Sequence, residues 1–335
     1  MTRINWQGPT VFEIAAAAGV STATVDRVIN GRGGVSAARG EAVRRAIERL
    51  RHGAQPTERP LRIVLRCISG QGFNETLQVA VQHFTAANPH VAIDVGTTLT
   101  QEVDPLAFAE GLAAIEDGID GVLLVAWEHP AIINAVRDLT ARGIAVVCLT
   151  TDIPASGRTA YVGINQVAAG CNAGFLMGRL VRAGQGVVVV FVSAPFACQE
   201  ERETGFRRVI RMEFPHLALA ENVGSHDDPA VSKAAAARLL ASDTPPVGIY
   251  NVAGANTGIA EAIKESGKSC VFIGHELTRS SRRLLEGGLM DFVIAHDLEM
   301  ELTQAIEIVR AVKMSGSTQP QDRVAAPLLI TKYGL

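Results

Sequence analysis

Three short clusters in this chain invite a catalytic reading, and each fails on its spacing. Gly267-Lys268-Ser269 has the end of a phosphate loop, but the first glycine of GxxxxGK[ST] would fall at Ala262. The tripeptide also ends a helical pattern, where a phosphate cradle must open one. His275-Glu276 lacks the second histidine that a zinc-protease helix places four residues after the first. His226-Asp227-Asp228 joins a loop to a helix and reads more simply as a helix cap than as a metal cluster. With no Gly-x-Ser-x-Gly elbow either, the sequence offers no catalytic residue, metal ligand set or cofactor motif, and an enzyme is not expected. A different chemistry is available near the N-terminus. Thr22, Ala23, Asp26 and Arg27 share one face of a short helical pattern, with Ser21, Thr24 and Asn30 beside them. Small polar groups and a guanidinium on one helix face suit phosphates and base edges.

The elements that must position these residues span 10–50. Thr10 and Glu13 have the spacing of a capping box at a helix start. Gly19 suits a sharp helix exit, because glycine adopts positive φ without steric cost. Ser21 is placed to cap a second helix whose Val25, Val28 and Ile29 recur at helical spacing and are expected to face inward. Two short helices joined by a tight turn, the second with a polar outer face, make a helix-turn-helix for the DNA major groove. A generic three-helix cap is the alternative. Residues 1–60 hold nine Lys and Arg against five Asp and Glu, a net of +4, and the remainder 22 against 29, a net of −7. A basic head on an acidic body favours phosphate contact by the head alone.

Beyond a proline-broken linker at 51–61, short β-rich runs alternate with helical patterns. Strands are predicted at 62–68, 91–97, 121–126, 145–150, 160–164, 186–192, 247–252, 270–275 and 292–296. The helices between them include 75–88, 105–117, 132–142, 168–182, 201–214, 229–240 and 258–267. Nearly continuous apolar strands with helical crossovers imply parallel sheets covered on both faces. Nine such units exceed one compact sheet, so the predicted class is α/β: an all-α headpiece followed by two doubly wound lobes. Ligands of such sheets sit beyond the carboxyl ends of the strands. That rule selects Phe73 and Asn74, Trp127, Thr150 and Asp152, and Asn251 and Asn256. Phe73 and Trp127 serve equally well as core, and Asn256 as a helix cap.

Gly19-Val20-Ser21, Thr24-Val25, Arg27-Val28, Asn30 and Val35-Ser36 resemble the headpiece of the lac repressor (LacI) family. The order and spacing of the later units resemble the periplasmic-binding-protein-like, sugar-binding body of the same family. The resemblance implies a headpiece at 1–50, the linker at 51–61 and an effector domain at 62–335. Lobe 1 would take about 62–162 and 293–318, and lobe 2 about 163–292 and 319–335, with crossings near Gly163, Phe292 and Gln319. It implies that Arg27, with Thr22 and Ala23, reads base edges, while Ser21, Thr24 and Asn30 position the phosphate backbone. Asp26 departs from the serine usual there. In the cleft, Arg202-Glu203-Thr204-Gly205-Phe206 matches the family's Arg-x-x-Gly-Phe at a helix start, so Arg202 would point at the ligand. Local pairing with Glu200 or Glu201 is its alternative. Thr150 replaces the first of two usual carboxylates and leaves Asp152 as the anionic candidate. Glu276 stands in for a ligand-binding aspartate, and His296 falls where a polar residue lines the cleft. Tyr-x-Pro-Asn and Ala-Arg-x-Leu, which mark the family's hinge helix, are absent, so a short extended tether is expected.

The resemblance therefore implies a transcriptional regulator, a repressor by family default, that binds palindromic double-stranded DNA as a homodimer. Its effector would be a sugar, a polyol such as an inositol, or a sugar acid. The alternative is a solute-binding protein of a sugar transporter, which predicts an export signal and no headpiece. The first residues, Met1 to Trp6, lack an apolar signal core, and no run reaches membrane-span length. Five cysteines without CxxC spacing read as free thiols in a reducing compartment. A cytoplasmic protein with no membrane partner is expected.

Overall fold

The computed structural model of the chain describes residues 10–30, 34–51, 59–181, 184, 186–315 and 320–335. It divides into two units, Met1–Arg59 and Pro60–Leu335. The first is built from α1 (Val11–Ala18), α2 (Thr22–Ile29) and α3 (Ala37–Arg51). Ile14, Ala15, Val25, Val43 and Ala46 form its core, with Val28 packed against them. Gly19 takes φ +63°, and the Val20 amide reaches back to the Ala15 carbonyl (3.1 Å), which closes α1. Ser21 caps α2 by accepting from the Thr24 amide, and Ser36 accepts from the Arg39 amide at the start of α3. Ile29, expected inside, is 38% exposed, because the inward stripe of an eight-residue helix is filled by Val25 and Val28. The expected Thr10–Glu13 capping box rests on a side chain outside the described residues, as does most of the linker, including the question of a hinge helix.

The second unit holds two sheets. The first consists of β1 (Leu61–Ser69), β2 (Val91–Leu99), β3 (Gly121–Val125), β4 (Ala145–Leu149), β5 (Ala160–Ile164) and a later edge strand, with α4 (Gln71–Ala87), α5 (Pro105–Ala113) and α6 (Pro130–Ala141) between them. The chain continues through α7 (Gln166–Leu180), β6 (Gly186–Val192), α8 (Ala197–Glu213), β7 (Leu217–Leu219), β8 (Val223–Gly224), α9 (Pro229–Leu240) and β9 (Gly248–Asn251). It ends with α10 (Asn256–Ser266), β10 (Val271–His275), α11 (Arg279–Glu286), β11 (Phe292–Ala295), α12 (Leu298–Ser315), β12 (Arg323–Ala325) and β13 (Leu328–Ile330). The sheet orders are β12-β5-β4-β3-β1-β2 and β13-β11-β10-β9-β6-β7, with β8 also on β6. Every pairing is parallel except β11 with β13. Alternate residues of one strand feed opposite cores: Ile63, Leu65 and Cys67 of β1 enter one, and Val64 and Ile68 the other. Burial on both faces is why the central strands β3, β4 and β5 are apolar throughout, while β1 keeps Arg62 and Arg66 at its less buried positions.

The sheets define two lobes, and the chain passes between them three times. The first passage lies between β5 and α7, so Gly163 and Ile164 pair within the first sheet. The second follows β11, which pairs with β10 and β13 in the second sheet, so residues 293–295 belong to the second lobe, not the first. The chain re-enters the first lobe at α12, whose Leu298, Leu302 and Ala305 join its core. The third passage lies between β12 and β13, not at Gln319, which is outside the described residues. β12 pairs with β5 in the first sheet, so 323–325 leave the expected second lobe. A three-residue, largely exposed edge strand has too few inward positions to show a period.

Candidate functional site

On the first unit, the outer face of α2 carries Ala23 and Arg27 exposed, with Thr22 and Thr24 partly so. Ser21 and Thr24 share a hydroxyl contact of 3.0 Å at the helix start. The Asn30 amide donates to the Asp26 carboxylate (2.7 Å) and carbonyl (2.9 Å). The Asp26 carboxylate therefore has a partner within its own helix.

In the second unit, the carboxyl ends of both sheets face a cavity of about 310 Å³. The first lobe lines it with Ser69, Phe73, Glu75 and Thr150, and the second with Arg202, Asp227, Asn256, His275, Glu276 and Thr278. Four lining residues other than glycine have positive φ: Thr150 (61°), Asp227 (57°), Ala255 (59°) and Glu276 (67°). Each conformation costs about 1–3 kcal/mol and persists only where the surroundings enforce it. Here they turn the strand-end loops of both lobes toward one space.

An ionic chain runs from the cavity into the passage between lobes. Arg202 of α8 donates to Glu276 (3.3 Å), whose other oxygen meets His296 Nε2 at 2.8 Å. His296 Nδ1 lies 2.7 Å from Glu301 of α12, and Thr150 donates to the second oxygen of Glu301 (3.4 Å). Burial opposes charge on His296, yet Glu301 and Glu276 hold its pKa well above the ordinary histidine value. Burial likewise opposes ionisation of Glu276, but the His296 charge and hydrogen bond, with Arg202, bring it down to about 2. His275 goes the other way: burial, then the neighbouring Arg202 and His296 charges, keep it neutral. A second bond crosses between the lobes: Thr100 of the first donates to Asp227 of the second (2.7 Å), which also accepts from the Gly254 amide (2.7 Å).

Five expected ligand residues line the cavity: Phe73, Thr150, Arg202, Asn256 and Glu276. Asn74, Trp127, Asp152, Asn251 and His296 do not. α4 starts at Gln71, four residues earlier than expected, so Phe73 and Asn74 lie in its first turn. Phe73 stacks over His296 with ring centroids 6.1 Å apart, while Asn74 is buried, accepting from Cys67 Sγ and donating to Ser69 O. Trp127 packs edge-on behind Phe196 (5.1 Å), and Phe196 takes the lining position. Asp152 faces Arg158, which also holds Asp322 beside β12 (2.8 Å), and borders a separate cavity of about 190 Å³. Asn251 is fully buried and ties the 251–256 loop by donating to Gly254 O (2.6 Å) and Asn256 Oδ1 (2.7 Å).

α8 starts at Ala197, so Arg202 sits in its second turn, not at its start. Each guanidinium nitrogen has a protein acceptor: Gln166 Oε1 (2.7 Å), Val252 O (3.0 Å) and Glu276. Neither Glu200 nor Glu201 is among them. The sequence reading missed Asp227 and His275 as lining residues. Asp228, beside the first, is the helix cap expected of that cluster, accepting from the Ala230 and Val231 amides.

A cleft between two doubly wound lobes, in a chain that begins with a separate three-helix unit, defines a ligand-binding body joined in sequence to a helix-turn-helix. Residues 68–316 match the family described as periplasmic binding protein domain, and residues 10–52 that described as bacterial regulatory proteins, lacI family. The chain belongs to the periplasmic binding protein family through this body, and carries the lacI-family helix-turn-helix at its N-terminus. No curated protein matches it. Among solved structures it is similar to a glucose-galactose binding protein from Geobacillus stearothermophilus, at 18% identity and a TM-score of 0.71, over 83% of this chain and 99% of that one. It is also similar to an ABC transporter solute binding protein from Burkholderia graminis C4D1M in complex with D-arabinose, at 19% identity and 0.72, covering 83% and 97%. A third is an ABC transporter solute binding protein from Bacillus halodurans C-125 with bound myo-inositol, at 15% identity and 0.70, covering 83% and 96%. These likenesses define the fold. Among the described residues no helix is long and apolar enough to cross a membrane.

Proposed function

We propose that the protein is a cytoplasmic transcriptional repressor that binds a palindromic operator as a homodimer and is released by a small polyhydroxylated effector held in the cleft. The observation that carries this reading is the pairing, in one chain, of a lacI-family helix-turn-helix with a cleft-bearing body. Arg27, with Thr22 and Ala23, faces base edges, and Ser21, Thr24 and Asn30 contact phosphates. The Asp26 carboxylate, which accepts from Asn30, would be repelled by phosphate unless Arg27 or another arginine neutralises it near the duplex. Within the cleft, Phe73 and Phe196 offer apolar faces to a sugar or polyol ring, while Thr150, Asn256 and Glu276 offer polar groups. Arg202 acts by fixing Glu276. The solved solute-binding relatives support a carbohydrate as the ligand class. A transporter's solute-binding protein has no use for the helix-turn-helix.

Selection of bound duplexes from a random pool by the full-length chain tests the reading. A two-fold symmetric consensus, weakened when a sugar or polyol is added, is the expected outcome. Binding to DNA without sequence preference would overturn it.

A further inference from the structure

Glu75, Asp227 and Glu276 bring three carboxylates to the cavity wall, and Arg202 is the only cation among the lining residues. Behind the wall, the His296 charge sits between Glu276 and Glu301 and is shared by both. Two carboxylates therefore remain in excess over the cations of this network. Arg202 has no nitrogen without a protein acceptor, and its nearest carboxylate, Glu276, already holds it. An anionic ligand reaching for Arg202 would have to displace Glu276 and would meet Asp227 and Glu75 nearby.

One lining residue carries a buried side-chain atom without a hydrogen-bond partner among the described residues. His275 is 1% exposed, lines the cavity, and its Nδ1 has no hydrogen bond among the described residues. Its Nε2 lies 2.7 Å from the hydroxyl of the fully buried Tyr250, which has no other partner among those residues. A buried hydroxyl must donate its proton, so Nε2 accepts and the ring hydrogen sits on Nδ1. That N–H is a donor awaiting an acceptor oxygen.

We propose that the cleft takes a polyhydroxylated ligand that is uncharged or carries an amine, receives one of its oxygens on His275 Nδ1, and excludes sugar acids and sugar phosphates. This deepens the effector reading and rests on it. An excess of acceptor oxygens from carboxylates suits hydroxyl and ammonium donors, and a like charge set beside the buried Asp227 and the half-buried Glu276 is costly.

Calorimetric titration of the full-length chain with matched series tests the charge rule, each series being a neutral sugar, its uronic acid and its 2-amino-2-deoxy form. In any series that binds, the acid should be weaker than the neutral sugar by about a hundredfold, and the amine at least equal to it. An acid that binds as tightly as its neutral counterpart overturns the proposal. Silence from every sugar and polyol overturns the carbohydrate-effector reading, and the proposal with it. The role of His275 is tested in the double variant His275→Phe/Tyr250→Phe, which removes both buried partners and so leaves neither orphaned. Its affinity for the neutral ligand should fall by about tenfold, at an unfolding temperature near that of the parent. Unchanged affinity makes His275 a core histidine and overturns its assignment.

Discussion

His296 shows how a single residue joins the lobes. It leaves the second sheet at the end of β11 and touches one carboxylate on each side, Glu276 in the second lobe and Glu301 in the first. Removing the imidazolium leaves two buried carboxylates facing each other, so His296→Gln should cost about 3–5 kcal/mol, measured by denaturant unfolding near neutral pH. The sign of the pH dependence follows from the raised pKa. The contribution of His296 is fully present below the unfolded histidine value of about 6.5, and it is lost as pH climbs through the higher folded value. The gap between parent and variant should therefore narrow in alkaline buffer. A gap that widens there means the ring is neutral in the fold. Arg27 belongs to the same scale. Arg27→Ala should cost about 1–3 kcal/mol of discrimination between operator and mismatched DNA while leaving effector affinity unchanged. Equal loss of both would make Arg27 a residue of the fold.

The Arg202-x-x-Gly205-Phe206 pattern has its explanation in how α7 and α8 meet. A Cβ at Gly205 would fall on the Val167 carbonyl, and one at Gly170 on the Arg202 carbonyl, so two glycines allow these helices to touch backbone to backbone. Phe206 stacks on Tyr250 with ring centroids 4.6 Å apart, and Arg202 is left at the cleft edge. Gly205→Ala adds helix propensity of about 1 kcal/mol but forces the helices apart, and overpacking of this kind costs about 1–3 kcal/mol. A lowered unfolding temperature, together with weaker effector binding as Arg202 shifts from Glu276, is expected. A stabilised variant would show that the helices separate freely. The central strands were legible at this scale because both faces of β3, β4 and β5 are buried and their apolar runs are unbroken, whereas β7, β8, β12 and β13 are too short to show a run. Helix starts were not: Gln71 and Ala197 open α4 and α8 after Gly70 and Phe196, neither of which offers a capping side chain. Those shifts of about one turn are why Asn74 was expected in the cleft and lies buried beside Cys67. Asp152 and Trp127 were misplaced for another reason. Their sequence position at strand ends is correct, but Arg158 and Phe196, distant or unremarkable in sequence, decide which way they face.

For the whole molecule, the lobes are tied by the Thr100–Asp227 bond, by His296 between Glu276 and Glu301, by the Cys198 amide on Thr151 and by Trp127 on Phe196, so an opening that parts Thr100 from Asp227 can turn about the others. Thr100→Val removes only the Thr100–Asp227 contact and should weaken effector binding by about tenfold without lowering stability to the same degree. If closure of this body governs the helix-turn-helix, the two ligands are linked. The factor by which effector changes operator affinity must then equal the factor by which operator changes effector affinity. Operator affinity measured with and without saturating effector, and effector affinity measured with and without saturating operator, should give one ratio, with each ligand weakening the other. Thr100→Val should bring that ratio closer to one, because an effector that favours the closed body less strongly can shift the DNA equilibrium less. An effector that fills the cleft and leaves operator affinity unchanged would mean that the body does not command the head.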